Sequence, residues 1–248
     1  MMEKITGNWI SVNEVITSFK TLFEKENYPH PFSKFVENKN DETLSLPEFL
    51  FETIKNICEK HSILIKEIDK IKYIQRKTKL FNSDRNENDA EHSWHLAVMA
   101  IVLAEHSDTA IDVLKVVKMV LIHDIVEIDA GDTFIYDTQK NHSNTDEESL
   151  AANRIFGLLP QEQAEKFIKI WEEFEAGETN EAKFAKAMDR LEPLLQNTSN
   201  NGGTWSEFGV SYDKVYEKKI AIKEGSSSIW NYAEKLIDES VEKGILKK

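Results

Sequence analysis

The chain has 248 residues, a formal net charge of −13, 40% hydrophobic residues and 30% charged residues. Its length and composition suit one large domain, or one domain with an extension, and exclude a chain disordered throughout. The acidic charge makes it a poor general binder of nucleic acid, whose backbone requires a basic surface.

Helical periodicity dominates and strand alternation is weak, which predicts an all-α fold. Residues 1–46 are predicted to form a partly helical N-terminal extension, and residues 47–248 the main domain. Helices are predicted near 12–26, 46–70, 90–107, 111–126, 147–157, 161–176, 180–197, 205–222 and 227–243, with polar segments at 27–43, 71–91 and 137–146. Proline at position 193 is expected to kink the helix that contains it.

Apolar stripes at helical spacing predict the buried faces. These stripes are Leu50, Ile54, Ile57 and Cys58; His92, Leu96, Met99 and Leu103; Val113, Val117, Val120 and Asp124; and Phe184, Met188, Leu191 and Leu195. Two of these stripes therefore include a residue type that binds metals, His92 at the start of one and Asp124 at the end of another. Asp189 borders the stripe that runs from Phe184 to Leu195.

The adjacent pair His123 and Asp124, in the run KMVLIHDIVEIDAGD (118–132), carries most information about function. A buried His–Asp pair is costly unless a metal or hydrogen bonds satisfy it. Each residue alone could be an ordinary cap or surface group. Together with His92 and Asp189, on two other helices, they predict one mixed nitrogen and oxygen site in a helical bundle. Such a set suits divalent Mn, Fe, Co, Ni or Zn, with Mg possible.

Further polar residues accompany this predicted site. Glu127 follows His123 on the same helix face, where it could assist proton transfer, and Asp132 would lie near the mouth. Arg76 and Arg85 precede the His92 helix and could neutralise a phosphate, although a solvated basic face is the simpler interpretation. His95 is expected to pack or hydrogen-bond near the site.

The segments RNENDAEHSWHLAVMA (85–100), VLIHDIVEIDAGD (120–132) and the later KAMD (186–189) resemble the HD-domain superfamily of metal-dependent phosphohydrolases. The likeness extends over about residues 50–240 and is close to the branch that contains bacterial 5′-deoxynucleotidases and their eukaryotic HD-domain relatives. It implies an HD-domain helical bundle. The residues that it implies are the metal ligands His92, His123, Asp124 and Asp189, the catalytic acid Glu127, the sugar-contacting Asp132 and the phosphate-anchoring Arg76.

The resemblance implies that metal-activated water hydrolyses a small phosphate ester, a nucleoside 5′-monophosphate, in a homodimeric enzyme with one divalent ion. Another phosphoester (a phosphodiester or a nucleoside triphosphate) stays open as substrate, as does a non-catalytic, metal-stabilised nucleotide-binding module. The deoxynucleotidases carry a tryptophan beside the arginine, where this chain has Lys77, so the preference for deoxyribose over ribose is open. Beyond the His–Asp pair only His142 follows, which favours one metal over two.

One cysteine, Cys58, excludes an internal disulfide and fits a reducing cytoplasm. The first residues lack a basic segment followed by an apolar one, so no signal peptide is expected. No apolar run approaches the roughly 20 residues of a membrane span. A cytoplasmic protein without membrane or nucleic-acid partners is therefore predicted.

Overall fold

The computed structural model describes residues 46–137 and 145–247. Its α-helices are α1 (Leu46–Ile68), α2 (Asp89–Leu103), α3 (Val113–Ile122), α4 (Glu127–Ala130), α5 (Thr145–Phe156), α6 (Gln161–Ala176), α7 (Asn180–Ser199), α8 (Gly203–Glu207), α9 (Tyr212–Lys219), α10 (Ile222–Gly225) and α11 (Ser227–Glu242). Short 3-10 helices span Asp69–Tyr73, Ala104–His106 and His123–Val126, and two strands, β1 (Gln75–Lys79) and β2 (Asn86–Asn88), pair antiparallel.

The chain divides into two compact units, residues 1–55 and 56–248, and the site described below lies within the second. The predicted all-α fold is confirmed. The predicted helix at 12–26 and polar segment at 27–43 lie outside the described residues, as do residues 138–144 of the third polar segment. The boundary at residues 46 and 47 stays a prediction.

The second unit has two apolar cores that share the polypeptide around α3. The larger is built mainly from α2, α3, α7 and α11, with Leu96, Met119 and Met188 fully buried. The smaller is built from the residues after α3 and from α5 and α6, with Phe156 fully buried at its centre. The His–Asp pair lies where these cores meet, so packing on both sides fixes the backbone that carries it.

Three predicted elements differ in the structure. Residues 71–91 are not irregular throughout, because they contain the hairpin β1–β2. The single helix expected at 205–222 is broken into α8, α9 and α10, with Gly209 at a left-handed φ of 59° after the first. On α1, Ile54 and Cys58 are exposed rather than part of a buried face.

Helix α7 continues through Pro193, and its predicted apolar stripe is buried at Phe184, Met188 and Leu191. None of the helices in residues 46–137 and 145–247 combines the length and apolar character that a membrane crossing requires.

Candidate metal centre

Helix α2 begins with a cap that fixes the position of His92. The Asn88 side chain accepts a hydrogen bond from the backbone N–H of Glu91 at 3.0 Å, and the Glu91 carboxylate accepts from the Asn88 backbone N–H at 3.3 Å. This reciprocal pair satisfies two amides that a helix N-terminus leaves free. One residue later, His92 is fully buried at the base of the stripe that continues to Leu96.

The end of α3 positions the His–Asp pair. The chain tightens from α-helix to 3-10 helix at His123, and both His123 and Asp124 are buried there. Nδ1 of His123 lies 2.9 Å from the carbonyl oxygen of Val120, which can only accept a hydrogen bond. Nδ1 therefore carries the proton, and in the neutral imidazole Nε2 presents its lone pair.

Four predicted ligands converge at this point. One ligand atom from each of His92, His123 and Asp189 lies within 4.8 Å of the other two. An oxygen of Asp124 lies 2.9 Å from Nε2 of His123, yet this buried nitrogen makes no hydrogen bond. Because a lone pair and a carboxylate both act as acceptors, they are compatible at this distance when a cation lies between them. The donor set therefore fits a divalent metal ion.

Asp189 comes from α7 and faces His92, with 3.1 Å between its Oδ1 and Nε2 of His92. Its other oxygen accepts a hydrogen bond from Arg190 at 3.0 Å. Burial opposes ionisation, but Arg190 and His92 outweigh it and hold the pKa of Asp189 well below its usual range. Asp189 is thus anionic at neutral pH.

Strand β1 brings Arg76 to the same centre. Its guanidinium donates to Asp124 at 3.1 Å and to Asp89 at 3.3 Å, and only 13% of its side chain is exposed. Burial lowers its pKa, but the charges of Asp124, Asp132 and other nearby carboxylates outweigh this and raise the pKa well above the usual value. Arg76 is thus a permanent cation beside the predicted ligands.

Three carboxylates form a second cluster around that guanidinium. One oxygen from each of Asp89, Glu127 and Asp132 lies within 4.8 Å of the others. Burial, with the charge of Asp124 added, raises the pKa of Glu127 well above its usual value and that of Asp89 to about 6. A proton is thus held in this cluster at a pH where isolated carboxylates have lost theirs.

Two buried glutamates, Glu87 and Glu192, were missed from the sequence. Both lie on the far side of His92, within 3.5 Å and 3.3 Å of its Nδ1. Glu192 also lies 3.4 Å from Nδ1 of His95, whose ring packs edge-on against that of Phe81, in line with the expectation that His95 packs or hydrogen-bonds near the site. Burial raises the pKa of Glu192, but the nearby His92 and His95 reverse this and lower it to about 2.

A cavity of about 480 Å³ opens in front of the cluster, within the range of small-molecule pockets. Its inner wall contains Arg76, His123, Asp124, Glu127, Asp132 and Asp189. The rest of the lining includes the aromatic residues Phe134, Tyr136 and Phe174, the basic residues Lys77, Lys186, Arg190, Lys218 and Lys219, and the acidic residues Glu148, Glu175 and Glu217. Burial lowers the pKa of Lys219 to about 7. The combination of cations and aromatic rings suits an anionic ligand with a flat ring.

The structure does not bring Arg85 into this cavity. Its guanidinium makes two hydrogen bonds with Glu91, of 2.9 and 3.0 Å, and 55% of its side chain is exposed. Lys77 lies at the exposed rim, because side chains on β1 alternate and Arg76 occupies the inner face.

A helical fold with convergent histidine and aspartate residues from α2, the end of α3 and α7 defines the class of protein. The family model described as "HD domain" matches residues 68–230, and the chain belongs to this family.

Particular relatives include the human and mouse proteins named 5′-deoxynucleotidase HDDC2, which are 32% and 30% identical over 115 residues. These matches cover 46% of this chain, and the chain spans about half the length of the curated relatives it matches. A solved structure from Magnetospirillum magnetotacticum, described as a predicted metal-dependent phosphohydrolase, is 48% identical with a TM-score of 0.74, and the match covers 78% of this chain and all of that one. A conserved hypothetical protein from Pyrococcus furiosus, 23% identical over 72% of this chain and 98% of its own with a TM-score of 0.50, shares the fold.

Proposed function

We propose that this protein is a metal-dependent phosphohydrolase that cleaves nucleoside 5′-monophosphates. The observation that carries the proposal is the meeting of four ligand types with the buried cation of Arg76 at the inner end of one cavity. Relatives named 5′-deoxynucleotidase, and a structural neighbour described as a metal-dependent phosphohydrolase, support this reaction class.

His92, His123, Asp124 and Asp189 would hold one divalent metal ion. The lone pair of His123 facing the Asp124 carboxylate supports this set, as does the anionic state of Asp189. When bound there, a divalent ion supplies Lewis-acid activation of water and neutralises charge on a phosphoryl group. Mixed nitrogen and oxygen ligands suit Mn, Fe, Co, Ni or Zn, with Mg possible.

Arg76, Glu127 and Asp132 have separate roles in the proposed reaction. Arg76 orients the phosphate through its guanidinium, whose planar donors match phosphate oxygens. Glu127 moves a proton at the reacting oxygen, since burial and neighbouring carboxylates bring its pKa above that of an ordinary glutamate. Asp132, at the edge of the same cluster, binds the sugar. Arg85 has no part in this mechanism, because it pairs with Glu91 on the surface.

Lys77 bears on the choice of sugar. It lies at the rim of the cavity, beside Arg76, where the deoxynucleotidases carry a tryptophan. A flexible, exposed lysine presents less rigid bulk to a 2′-hydroxyl than an indole ring does. We therefore expect ribonucleotides and deoxyribonucleotides to be turned over at more similar rates than a tryptophan-containing site would allow.

A homodimer is part of the proposal. Trp94, Val98, Ile101 and Val102 lie at helical spacing on α2, and each is at least 41% exposed. Such an apolar stripe on a helix is typical of an interface. Light scattering of the full chain should give twice the mass of 28.6 kDa, and Ile101→Glu should shift it to the monomer. A wild-type monomer at micromolar concentration would contradict the proposed homodimer.

A cytoplasmic location, expected from the single cysteine, stays a prediction.

Phosphate release tests the enzymatic proposal. The chelated protein is reloaded separately with Mn, Co, Mg and Zn and offered a panel of deoxyribo- and ribonucleoside 5′-monophosphates. We expect metal-dependent release that is lost in Asp124→Asn and retained in Asp129→Asn, whose carboxylate pairs with Arg154. Release from phosphodiesters or nucleoside triphosphates alone would mean that the substrate belongs to one of those classes and is not a nucleoside monophosphate. Binding without release from any substrate would indicate a nucleotide-binding module.

A further inference from the structure

His92 is enclosed by carboxylates on both sides of its ring. Nε2 faces Asp189 at 3.1 Å, on the side of the cavity. Nδ1 faces away from the cavity, toward Glu192 at 3.3 Å and Glu87 at 3.5 Å; these are ion-pair contacts, and Nδ1 and both Glu192 oxygens are buried without a hydrogen bond. Both glutamates are almost completely buried, with 0% and 1% of their side chains exposed. Two carboxylates in such a place are costly unless they serve polar partners.

Nδ1 of an imidazole carries at most one hydrogen, so Glu192 and Glu87 cannot both be the main acceptor of that hydrogen. Glu192 is the closer to Nδ1, and its second oxygen lies 3.4 Å from Nδ1 of His95. It comes from α7, three residues after Asp189, so one helix face holds both sides of the His92 ring. A carboxylate on the outer nitrogen fixes the tautomer and ring orientation of a metal-binding histidine.

Glu87 connects His92 to the arginine. It comes from β2, and its carboxylate lies 3.7 Å from Nε of Arg76, a residue of the paired strand β1. Its other oxygen accepts a hydrogen bond of 2.9 Å from Gln196 of α7. The carboxylate is therefore held between the hairpin and α7, in contact with both His92 and Arg76. Substitution of Glu87 should therefore affect both metal binding through His92 and anion binding through Arg76.

We propose that Glu192 and Glu87 are positioning residues, with Glu192 keeping the proton of His92 on Nδ1 and Glu87 aligning the guanidinium of Arg76 with the same imidazole. Nε2 of His92 is thereby left free toward the metal, and Arg76 is held at a fixed distance from it. The proposal rests on the proposed function only in requiring a metal at His92 and an anion at Arg76; it does not require turnover.

Binding measurements on the full chain separate the two roles. The dissociation constants of Mn²⁺ and Zn²⁺ for the chelated protein, and of inorganic phosphate for the metal-saturated protein, are measured by calorimetry. Glu192→Gln should weaken metal binding about 10- to 100-fold, the usual cost of losing such a partner, and leave phosphate binding within about twofold. Glu87→Gln should weaken both. Glu162→Gln, an equal change of charge at an exposed position of α6, should change neither.

Two results would overturn the proposal. One is unchanged metal affinity in folded Glu192→Gln, with folding verified by circular dichroism of the metal-free protein. The other is independent of any variant: nitrogen NMR of the zinc-loaded wild-type protein should show His92 protonated on Nδ1, and zinc bound through Nδ1 would contradict the assignment. Both measurements remain decisive if the protein hydrolyses none of the nucleotides, because neither uses activity.

Discussion

Arg76 links the two acidic clusters of the site. It donates to Asp124, a predicted metal ligand, and to Asp89, which belongs to the protonated cluster with Glu127. Removing its charge would leave several buried carboxylates without a cation, so an alanine variant would confuse loss of binding with loss of folding. Lysine keeps the charge and removes the planar arrangement of donors.

Arg76→Lys should therefore raise KM for nucleoside monophosphates about 10- to 100-fold, since a hydrogen bond to a charged group contributes roughly 1.5–3 kcal/mol. Steady-state kinetics at saturating metal measure the effect. Arg85→Lys is the matched control, because that arginine belongs to the same polar segment and pairs with Glu91 outside the cavity. An equal rise in KM for Arg85→Lys would contradict the proposed role of Arg76 in orienting the phosphate.

Glu127 should show opposite effects on turnover and stability. Glu127→Gln removes the proton-transfer group and should lower kcat by about 10²- to 10⁴-fold. Because the pKa of Glu127 is raised in the folded protein, its ionisation destabilises the fold as pH rises above the usual value of 4.5. The neutral amide avoids this penalty.

Metal-free Glu127→Gln should consequently melt above metal-free wild type at pH 8, by about 2–4 °C for each kcal/mol recovered, with a smaller difference at pH 5. Calorimetric melting at the two pH values tests this. Asp129→Asn, on the same short helix, should show neither effect. A Glu127→Gln protein that turns over normally would show that another group transfers the proton.

At the residue scale, the sequence indicated the ligand types better than the groups around them. His92, His123 and Asp124 could be recognised because polar residues at apolar helix positions require a reason to be buried. Glu192 carried a weaker signal, its spacing of three from Asp189. Residue type alone does not separate Arg76 from Arg85. In the structure Arg76 lies on the inner face of β1, whereas Arg85 lies just before β2 with 55% of its side chain exposed.

At the scale of elements, the hairpin shows why part of the structure was hidden in the sequence. The strand β1 reads QRKTK, and its inner face presents Arg76 and Thr78 rather than apolar residues. The usual alternation of apolar and polar residues is absent because this face meets a polar site. The helices α2 and α7, which pack against an apolar core, kept their expected periodicity. On α3 the buried face differs from the predicted stripe, because Val116 and Met119 are fully buried while Val113 and Val117 are half-buried.

The packing of α10 against α7 also affects the site, because α7 carries Asp189. A Cβ at Gly225 would lie 2.7 Å from the carbonyl oxygen of Lys183 and 2.9 Å from Cα of Phe184, both in α7. Gly225→Ala must therefore push the two helices apart. We expect a loss of about 1–3 kcal/mol, measured by urea unfolding.

Glu224→Ala, at the exposed neighbouring position of α10, provides the comparison and should remain within about 0.5 kcal/mol of wild type. Since α7 carries Asp189, Gly225→Ala should also weaken metal binding. Unchanged stability in Gly225→Ala would mean that α10 can move away from α7 without cost.

At the scale of the whole molecule, acidic charge is concentrated where the two cores meet. Glu87, Asp89, Asp124, Asp189 and Glu192 are all buried in the second unit. Arg76 and Arg190 offset only part of this charge, since the lone pair of His123 still faces a carboxylate. A divalent ion at the proposed ligands would supply the missing positive charge and bind the folded state alone.

Metal should therefore stabilise the whole fold. At a free metal concentration of 100 times the dissociation constant, the linkage amounts to about 2.7 kcal/mol, or roughly 5–10 °C in Tm for a domain of this size. Thermal melts of chelated protein with added Mn²⁺ or Zn²⁺ measure this shift. Asp189→Asn should abolish it, because the amide is a neutral and weaker ligand, whereas Asp213→Asn, exposed on α9, should retain it. If Asp189→Asn keeps the full shift, the stabilising metal lies elsewhere. If wild type shows no shift at saturating metal, the acidic clusters are balanced without an ion, and the metal centre itself would be ruled out.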